Sequence, residues 1–217
     1  MKEFIEIQAS KNSLANRKLV CGIGINDAKY MVTNIIDGKR ECCPYYQKWI
    51  SMINRCYSEK FQSSHPTYSG CSVEKEWLRF SYFREWMESQ DWMGKELDKD
   101  ILVAGNKLYG PSLGLFGSHK INSLLIDSAA IRGHLPKGVS LDKDIGKYKS
   151  SCKFNGKSKS LGRFDTASEA EICYLKFKSS LVINASRNSE CLDNPILAQA
   201  LLRHANIMTN RIASLNV

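Results

Sequence analysis

The sequence predicts an α+β protein that combines helices with a three-stranded antiparallel sheet, and three observations carry this prediction. Residues 138–141, 147–154 and 157–164 form three short runs with the alternation typical of β-strands. Asn155-Gly156, between the last two runs, favours a tight hairpin because both residues tolerate positive φ. Residues 42–57, 80–90 and 194–215 instead carry apolar residues at helical spacing.

Composition and charge narrow the class of protein. With 217 residues, 43% hydrophobic and 24% charged, the chain has the length and composition of one or two globular domains. Its net charge of +9 favours an acidic partner, either nucleic acid or a membrane surface. No apolar run matches a bilayer span and no signal peptide is visible, so we expect no membrane attachment. The eight cysteines include no C-x-x-C pair, which argues for reduced thiols rather than a zinc site.

The patterns in the first half of the chain predict structural elements and core residues. Residues 1–40 predict two or three strands or a loose arm, with a turn at Asp37-Gly38. Pro44 suits the first turn of the helix at 42–57. Residues 71–78 look strand-like, and an aromatic helix follows at 80–90. Three tryptophans of this half are expected in the core: Trp49, Trp77 and Trp86.

Residues 97–125 predict a strand, a glycine-containing turn, a second short strand and a helix that begins near Ser118. The charge balance then changes along the chain. Residues 42–99 hold eight basic and eight acidic residues, whereas residues 137–163 hold eight basic and two acidic ones. This shift places a domain boundary near 132–136. We therefore expect segments 1–40, 41–131, 136–182 and 192–217, with the last forming a separate helix.

The basic segment points to DNA. In the run 147–154, Lys149, Ser151 and Lys153 alternate with Tyr148, Ser150, Cys152 and Phe154, so lysines and hydroxyls share one face. A helix at 167–179, capped by Asp165 or Thr166, is expected to cover the apolar face. Such a sheet suits the phosphate backbone and the major groove. The alternative is a small sheet whose lysine face is simply solvated.

The same segment resembles a known family. GKYKSSCKFNGK at 146–157 and LGRFDTASEA at 161–170 are similar to the Apetala-type (ethylene-response-factor) DNA-binding domain over about residues 136–180. The resemblance implies a three-stranded sheet in the major groove, backed by a helix. It implies DNA contacts from Ser140, Asp142, Lys149, Ser151, Lys153, Ser158 and Ser160, where the family often has Arg or Trp. To these we add the remaining basic strand residues, Lys147, Lys157, Lys159 and Arg163.

A second resemblance covers the preceding segment. YQKWISMINRCYSEKF at 46–61, HPTYSGCSVEKEWLRFSYFREWM at 65–87 and LDKDILVAGNKLYGP at 97–111 resemble phage HNH homing endonucleases, a family in which an Apetala-type domain follows the nuclease unit. The resemblance implies Asp98 as a metal ligand on the first strand and Asn122 as a ligand on the helix. Lys99 stands where the family has its histidine base, and Leu113 where it has a polar brace. His119 is a candidate substitute ligand or base.

These departures predict a degenerate nuclease, because a protonated lysine cannot accept a proton and leucine offers no hydrogen bond. We expect a double-stranded DNA-binding repressor of phage or phage-satellite origin, located in the bacterial cytoplasm and needing no cofactor. The alternative is an active endonuclease or nickase that holds Mg²⁺ or Mn²⁺ with Asp98, His119 and Asn122. A third class is a protein-binding module with a basic face. Asp98 as a strand acid paired with Lys99 or Lys107 also stays open, as does a homodimer.

Overall fold

The computed structural model of the chain describes residues 4–126, 133–154 and 156–216. It confirms a mixed α+β protein with helices and a three-stranded antiparallel sheet. The chain divides into two compact units, Met1–His119 and Lys120–Val217. This division comes earlier than the boundary expected near 132–136, and the end of the predicted segment 41–131 lies outside the described residues.

The first unit begins with a short helix, α1 (Lys11–Ala15), and a hairpin of strands β1 (Thr33–Ile36) and β2 (Lys39–Cys42). The hairpin turns at Asp37 and Gly38, whose φ angles are 51° and 71°. Two successive positive φ angles match the turn that suits the twist of a two-residue hairpin. The turn predicted at Asp37-Gly38 is therefore confirmed.

An aromatic core holds this unit together. It is built on two helices, α2 (Pro44–Tyr57) and α4 (Phe80–Glu88), whereas α3 (Glu59–Ser64), between them, buries no side chain. Trp49 of α2 and Trp77 are fully buried, and the indole Nε1 of Trp49 donates to the Trp77 carbonyl at 2.8 Å. Trp86 is only partly buried and stacks on Phe116, with ring centres 5.6 Å apart. Two of the three predicted core tryptophans are thus central, and the third lies at the margin.

Short strands complete the first unit: β3 (Ser72–Val73), β4 (Glu96–Asp98), β5 (Leu108–Tyr109) and β6 (Leu115–Gly117). β3 pairs parallel with β5, and β4 pairs antiparallel with β6. The strand-like prediction for 71–78 is wrong after Val73, because Lys75–Leu78 forms a 3₁₀ turn closed by a bond from the Trp77 N–H to the Glu74 carbonyl. Helix α5 (His119–Leu125) follows β6, in the predicted order of strand, strand and helix.

The second unit contains the three-stranded sheet of β7 (Val139–Asp142), β8 (Lys147–Phe154) and β9 (Lys157–Phe164). All pairings are antiparallel and β8 is the middle strand. Asn155 of the predicted hairpin turn lies outside the described residues, whereas Gly156 has the expected positive φ of 77°. The strands agree with those predicted to within one residue.

One face of the sheet is covered by helix α6 (Ala167–Ala185). Thr166 begins it with a capping box, in which its hydroxyl and N–H both bond the Glu169 carboxylate and the Glu169 N–H donates back. α6 runs six residues beyond the predicted end at 179. The rings of Phe177 and Phe154 meet edge to face, 6.1 Å between centres, and fix the helix to the hairpin end of the sheet.

Two further helices end the chain, α7 (Ser189–Leu192) and α8 (Pro195–Leu215). Asn194 caps α8 by accepting from the Leu197 N–H at 3.0 Å. α8 packs antiparallel on α6, because Arg211 near its end binds Glu171 near the start of α6, with 3.0 Å between Nε and Oε1. Of the apolar residues at helical spacing in 194–215, Ile196 and Ile207 are exposed, whereas Leu197, Ala200, Leu201 and Ala205 are buried.

All eight cysteines are free thiols, and five of them are buried, in line with the prediction of small buried hydrophobes. None of the helices in the described ranges is both long enough and apolar enough to span a bilayer.

Candidate nucleic-acid interface

The register of the sheet decides which strand residues share a face, because paired residues in a ladder point to the same side. Lys149 of β8 pairs with Ser140 of β7 and Arg163 of β9. Extending these pairs along the strands gives one face, turned away from α6, that we call the basic face. Its members are Ser140, Asp142, Lys147, Lys149, Ser151, Lys153, Ser158, Ser160 and Arg163.

A β-bulge in β9 brings Arg163 onto the basic face. Ser151 pairs with Ser160 and Ser150 pairs with Gly162, so Leu161 is an extra residue opposite no partner. Gly162 takes a φ of 140°, a conformation that favours glycine. Strict alternation would have put Ser160 and Arg163 on opposite faces, so the bulge unites the two ends of β9.

Lys157 and Lys159 do not belong to this face. They pair with Phe154 and Cys152, whose side chains point toward α6. The ammonium of Lys159 lies 4.8 Å from the ring centre of Phe177 and 5.8 Å from that of Phe154. Such a cation–π contact holds the lysine at the hairpin end of the covered face. Lys157 and Lys159 thus lie outside the basic face, and the DNA contact predicted for them stays a prediction.

The charges of the basic face are four cations and one carboxylate. Arg163 Nε lies 3.1 Å from Asp142 Oδ2, and Lys147 Nζ lies 3.1 Å from Asp165 Oδ1. Lys149 and Lys153 have no hydrogen-bond or ion-pair partner among residues 4–126, 133–154 and 156–216. Two ammonium groups are thus available for an external anion.

A polar layer is buried beneath the face. Ser150 and Cys152 of β8 point toward α6, which contributes the nearly buried Lys178. Burial lowers the pKa of Lys178, and burial raises the pKa of Cys152 in spite of the nearby ammonium. The Ser150 hydroxyl has no hydrogen-bond partner within the described part of the chain. This layer was not predicted, because a lysine in a helix of mixed composition usually faces solvent.

In the first unit, Asp98 is not a surface acid. One of its oxygens, Oδ1, accepts the N–H groups of Asp100 at 2.6 Å and Ile101 at 3.1 Å, which makes it the brace of a turn. Burial raises the pKa of Asp98. The two N–H donors and the Lys99 ammonium lower it, but burial has the larger effect. The turn therefore uses a carboxylate oxygen that a metal ligand would need.

Lys99 and Lys107 do not pair with Asp98. Lys99 is buried, and its Nζ donates to Asp100 Oδ2 at 2.5 Å, while Lys107 Nζ donates to the Thr67 carbonyl at 2.6 Å. The alternative of an Asp98 pair with either lysine is thereby corrected. Leu113, at the predicted brace position, is half-buried and donates its backbone N–H to the Gly110 carbonyl at 3.1 Å.

His119 is engaged elsewhere. Its Nδ1 lies 3.1 Å from Glu96 Oε1, and the imidazole is 81% exposed, so it makes an exposed pair with Glu96 instead of a contact with Asp98. Asn122 is buried within α5. Within the described ranges no three His, Cys, Asp or Glu side chains gather as metal ligands. At Asp98 itself, Oδ1 is occupied by two backbone N–H groups and the Lys99 cation acts on the same carboxylate, which disfavours a divalent metal there.

Arg55 was missed by the sequence analysis, although it lies close to Asp98. Its guanidinium donates to the Leu97 carbonyl at 3.0 Å and to the Tyr109 hydroxyl at 3.4 Å. Despite burial, Tyr109, Tyr68 and Asp98 raise the pKa of Arg55, which keeps it charged. It also lines a cleft of about 280 Å³ between α2 and β4, together with Gln47, Lys48, Ser51, Glu96 and Leu97. No sequence motif distinguishes Arg55 from other helix arginines.

Comparisons with models of known protein families, with curated proteins and with solved structures found no match to the chain.

Proposed function

We propose that the chain is a sequence-specific double-stranded DNA-binding protein that acts as a transcriptional repressor. The observation that carries the proposal is the basic face, on which four cations and four hydroxyls line one exposed side of a three-stranded sheet. B-DNA accepts a β-sheet face in its major groove and attracts cations to the flanking phosphates.

The unpaired lysines support the same proposal. Lys149 and Lys153 are four residues apart on β8, with Ser151 between them, so they project from one face about 13 Å apart. Two lysines at that spacing would contact two different phosphates. Serine hydroxyls between the lysines both donate and accept hydrogen bonds, which suits phosphate oxygens as well as base edges.

We further propose that cleavage has been lost. A hydrolytic site needs a metal or a base that activates water. Lys99 occupies the position of the base and is committed to Asp100, whereas Asp98 is committed to the turn at 100–101. DNA binding by the basic face needs neither group, and no cofactor.

The motif resemblance supplies the biological setting of the proposal. A homing endonuclease that binds its site without cutting it would block RNA polymerase there. We propose that the chain resembles the phage-satellite repressor of a capsid operon, so such a promoter in the bacterial cytoplasm is the first target to test. A monomer and a homodimer are both compatible with this role.

The test is to select bound duplexes from a random-sequence library with the full chain, and then to incubate the selected DNA with the protein and Mg²⁺. Intact DNA that migrates as a complex supports the repressor. If the protein cuts the DNA in the presence of Mg²⁺ and Asp98→Ala abolishes the cutting, the chain is an active nuclease and the repressor proposal is wrong. Asp91→Ala serves as the matched control, because Asp91 is an exposed acid of the same unit. Absence of any enriched sequence would contradict specific DNA binding.

A further inference from the structure

Arg163 and Asp142 belong to the two outer strands of the sheet, with β8 between them. Neighbouring strands lie about 4.8 Å apart, so β7 and β9 are separated by about 9.6 Å. Nevertheless Arg163 Nε approaches Asp142 Oδ2 to 3.1 Å. The two side chains therefore lean toward each other over β8, which places the guanidinium above the middle strand of the basic face, near Lys147 and Lys149.

The bond to Asp142 uses only Nε of Arg163 and leaves its two terminal guanidinium nitrogens available. Asp142 accepts from Nε, whereas the two terminal nitrogens have no hydrogen-bond partner among the described residues. The Asp142 side chain is 20% exposed and the Arg163 side chain is 53% exposed, so the carboxylate is largely buried while the guanidinium is accessible to a ligand. An arginine held in this way has already lost much of the rotamer freedom that binding would otherwise cost.

We propose that Arg163 recognises a guanine in the major groove and that Asp142 is the positioning residue that aims it. This inference rests on the proposed DNA-binding function. Guanine presents two acceptors, O6 and N7, on its major-groove edge, and a planar guanidinium matches them with two parallel N–H donors. Lysine, which supplies the other cations of the face, lacks this fork.

The central position favours a base over a phosphate. When a sheet enters the major groove, the middle of its face approaches the base edges, while its margins approach the two backbones. Lys147, in contrast, pairs with Asp165, which follows the end of β9. The two ion pairs have the same length of 3.1 Å, which makes the second a matched control for the first.

The experiment compares base preferences of the full chain, Asp142→Ala, Arg163→Lys and the control Asp165→Ala, each selected against the same random-sequence duplex library. Both aspartate variants remove one negative charge that is paired with a cation of the basic face, so both raise nonspecific attraction. We expect Arg163→Lys to lower the preference for guanine at one position by roughly 5- to 100-fold. Asp142→Ala should lower it at the same position, and Asp165→Ala should leave it unchanged.

The outcomes separate this inference from the proposed function. If the unaltered chain enriches no sequence, specific DNA binding itself fails. If it enriches a sequence but Arg163→Lys keeps the same guanine preference, Arg163 is not the reader and the inference is overturned. Uniform loss of affinity in Arg163→Lys, without any change in base preference, would assign Arg163 to a phosphate and overturn it as well. Equal base preferences in the two aspartate variants would remove Asp142 from its positioning role.

Discussion

Gly138 leaves room for the ring of Tyr174: a Cβ at position 138 would lie 2.0 Å from Cδ2 of that ring. Gly138 immediately precedes β7, with a φ of 79°, and Tyr174 projects from α6. The contact brings helix and sheet together at the first strand. Since the basic face is the other side of this sheet, its flatness depends on that packing.

Gly138→Ala is therefore expected to destabilise the protein by roughly 2–4 kcal/mol, through the positive φ and the collision with Tyr174. Gly146→Ala is the control, because Gly146 also has a positive φ, 65°, but no atom within 4 Å of its added Cβ. The control should cost only about 1–2 kcal/mol. Urea unfolding of both variants checks the difference, and equal losses would contradict the collision.

Lys178→Met should stabilise the protein. Burial lowers the pKa of Lys178, so the charged form costs the folded state free energy; that cost is full below the folded pKa and is lost as the pH rises from there to the ordinary lysine pKa. Methionine keeps the length of the side chain without its charge. We expect a gain on the order of 1 kcal/mol at neutral pH, shrinking in alkaline buffer. Lys176→Met, at an exposed position of the same helix, should change stability little.

Lys149→Ala and Lys153→Ala should each weaken DNA binding and reduce the slope of log affinity against log salt by about one, if each lysine contacts one phosphate. Lys176→Ala on α6 is the control and should change neither quantity. The measurement is a titration of labelled duplex at several salt concentrations. Unaltered slopes in both strand variants would remove the basic face from the interface.

Asp98→Asn should raise stability at neutral pH while leaving DNA affinity unchanged. Burial raises the pKa of Asp98, so the ionised form is disfavoured in the folded protein; this penalty is full above the folded pKa and is lost as the pH falls from there to the ordinary aspartate pKa. An asparagine oxygen can still accept the N–H groups of Asp100 and Ile101. The gain, on the order of 1 kcal/mol, should fade in acid. Asp91→Asn, at an exposed carboxylate, should show no such fading.

Trp77 and Trp86 should differ in how much they contribute to the free energy of unfolding. Trp77→Ala removes a fully buried indole and should cost about 3–5 kcal/mol. Trp86→Ala should cost less, because that ring is only partly buried. Chemical denaturation would compare them, with DNA binding as a second readout. A stable Trp86→Ala protein that no longer binds DNA would identify the aromatic margin as a contact surface.

Much of the fold follows from local patterns. The strands at 147–154 and 157–164 were predictable because their alternation is long and glycine marks the turn. α2 and α8 were predictable because proline begins each and an apolar stripe follows. The end of α6 was not, since no helix-breaking residue stands at 179 and its last turns are stabilised by tertiary contact with α8.

The candidate site was harder to predict. Alternation placed Lys149, Ser151 and Lys153 on one face, as the register has them. It could not reveal that Asp142 and Arg163 meet across β8, because that contact depends on three-dimensional pairing. Likewise, the sequence alone could not show that Lys99 is buried against Asp100, since a lysine after an aspartate usually reaches solvent.

The bulge at Leu161 also controls how sequence change alters this surface. Deleting Leu161 would restore strict alternation, so the residues on one side of it would exchange faces with those on the other. Either Ser158 and Ser160 would turn toward α6 and Lys157 and Lys159 would join the basic face, or Arg163 would turn inward. A single-codon deletion would thus change the chemical character of half of β9 while leaving its composition almost intact.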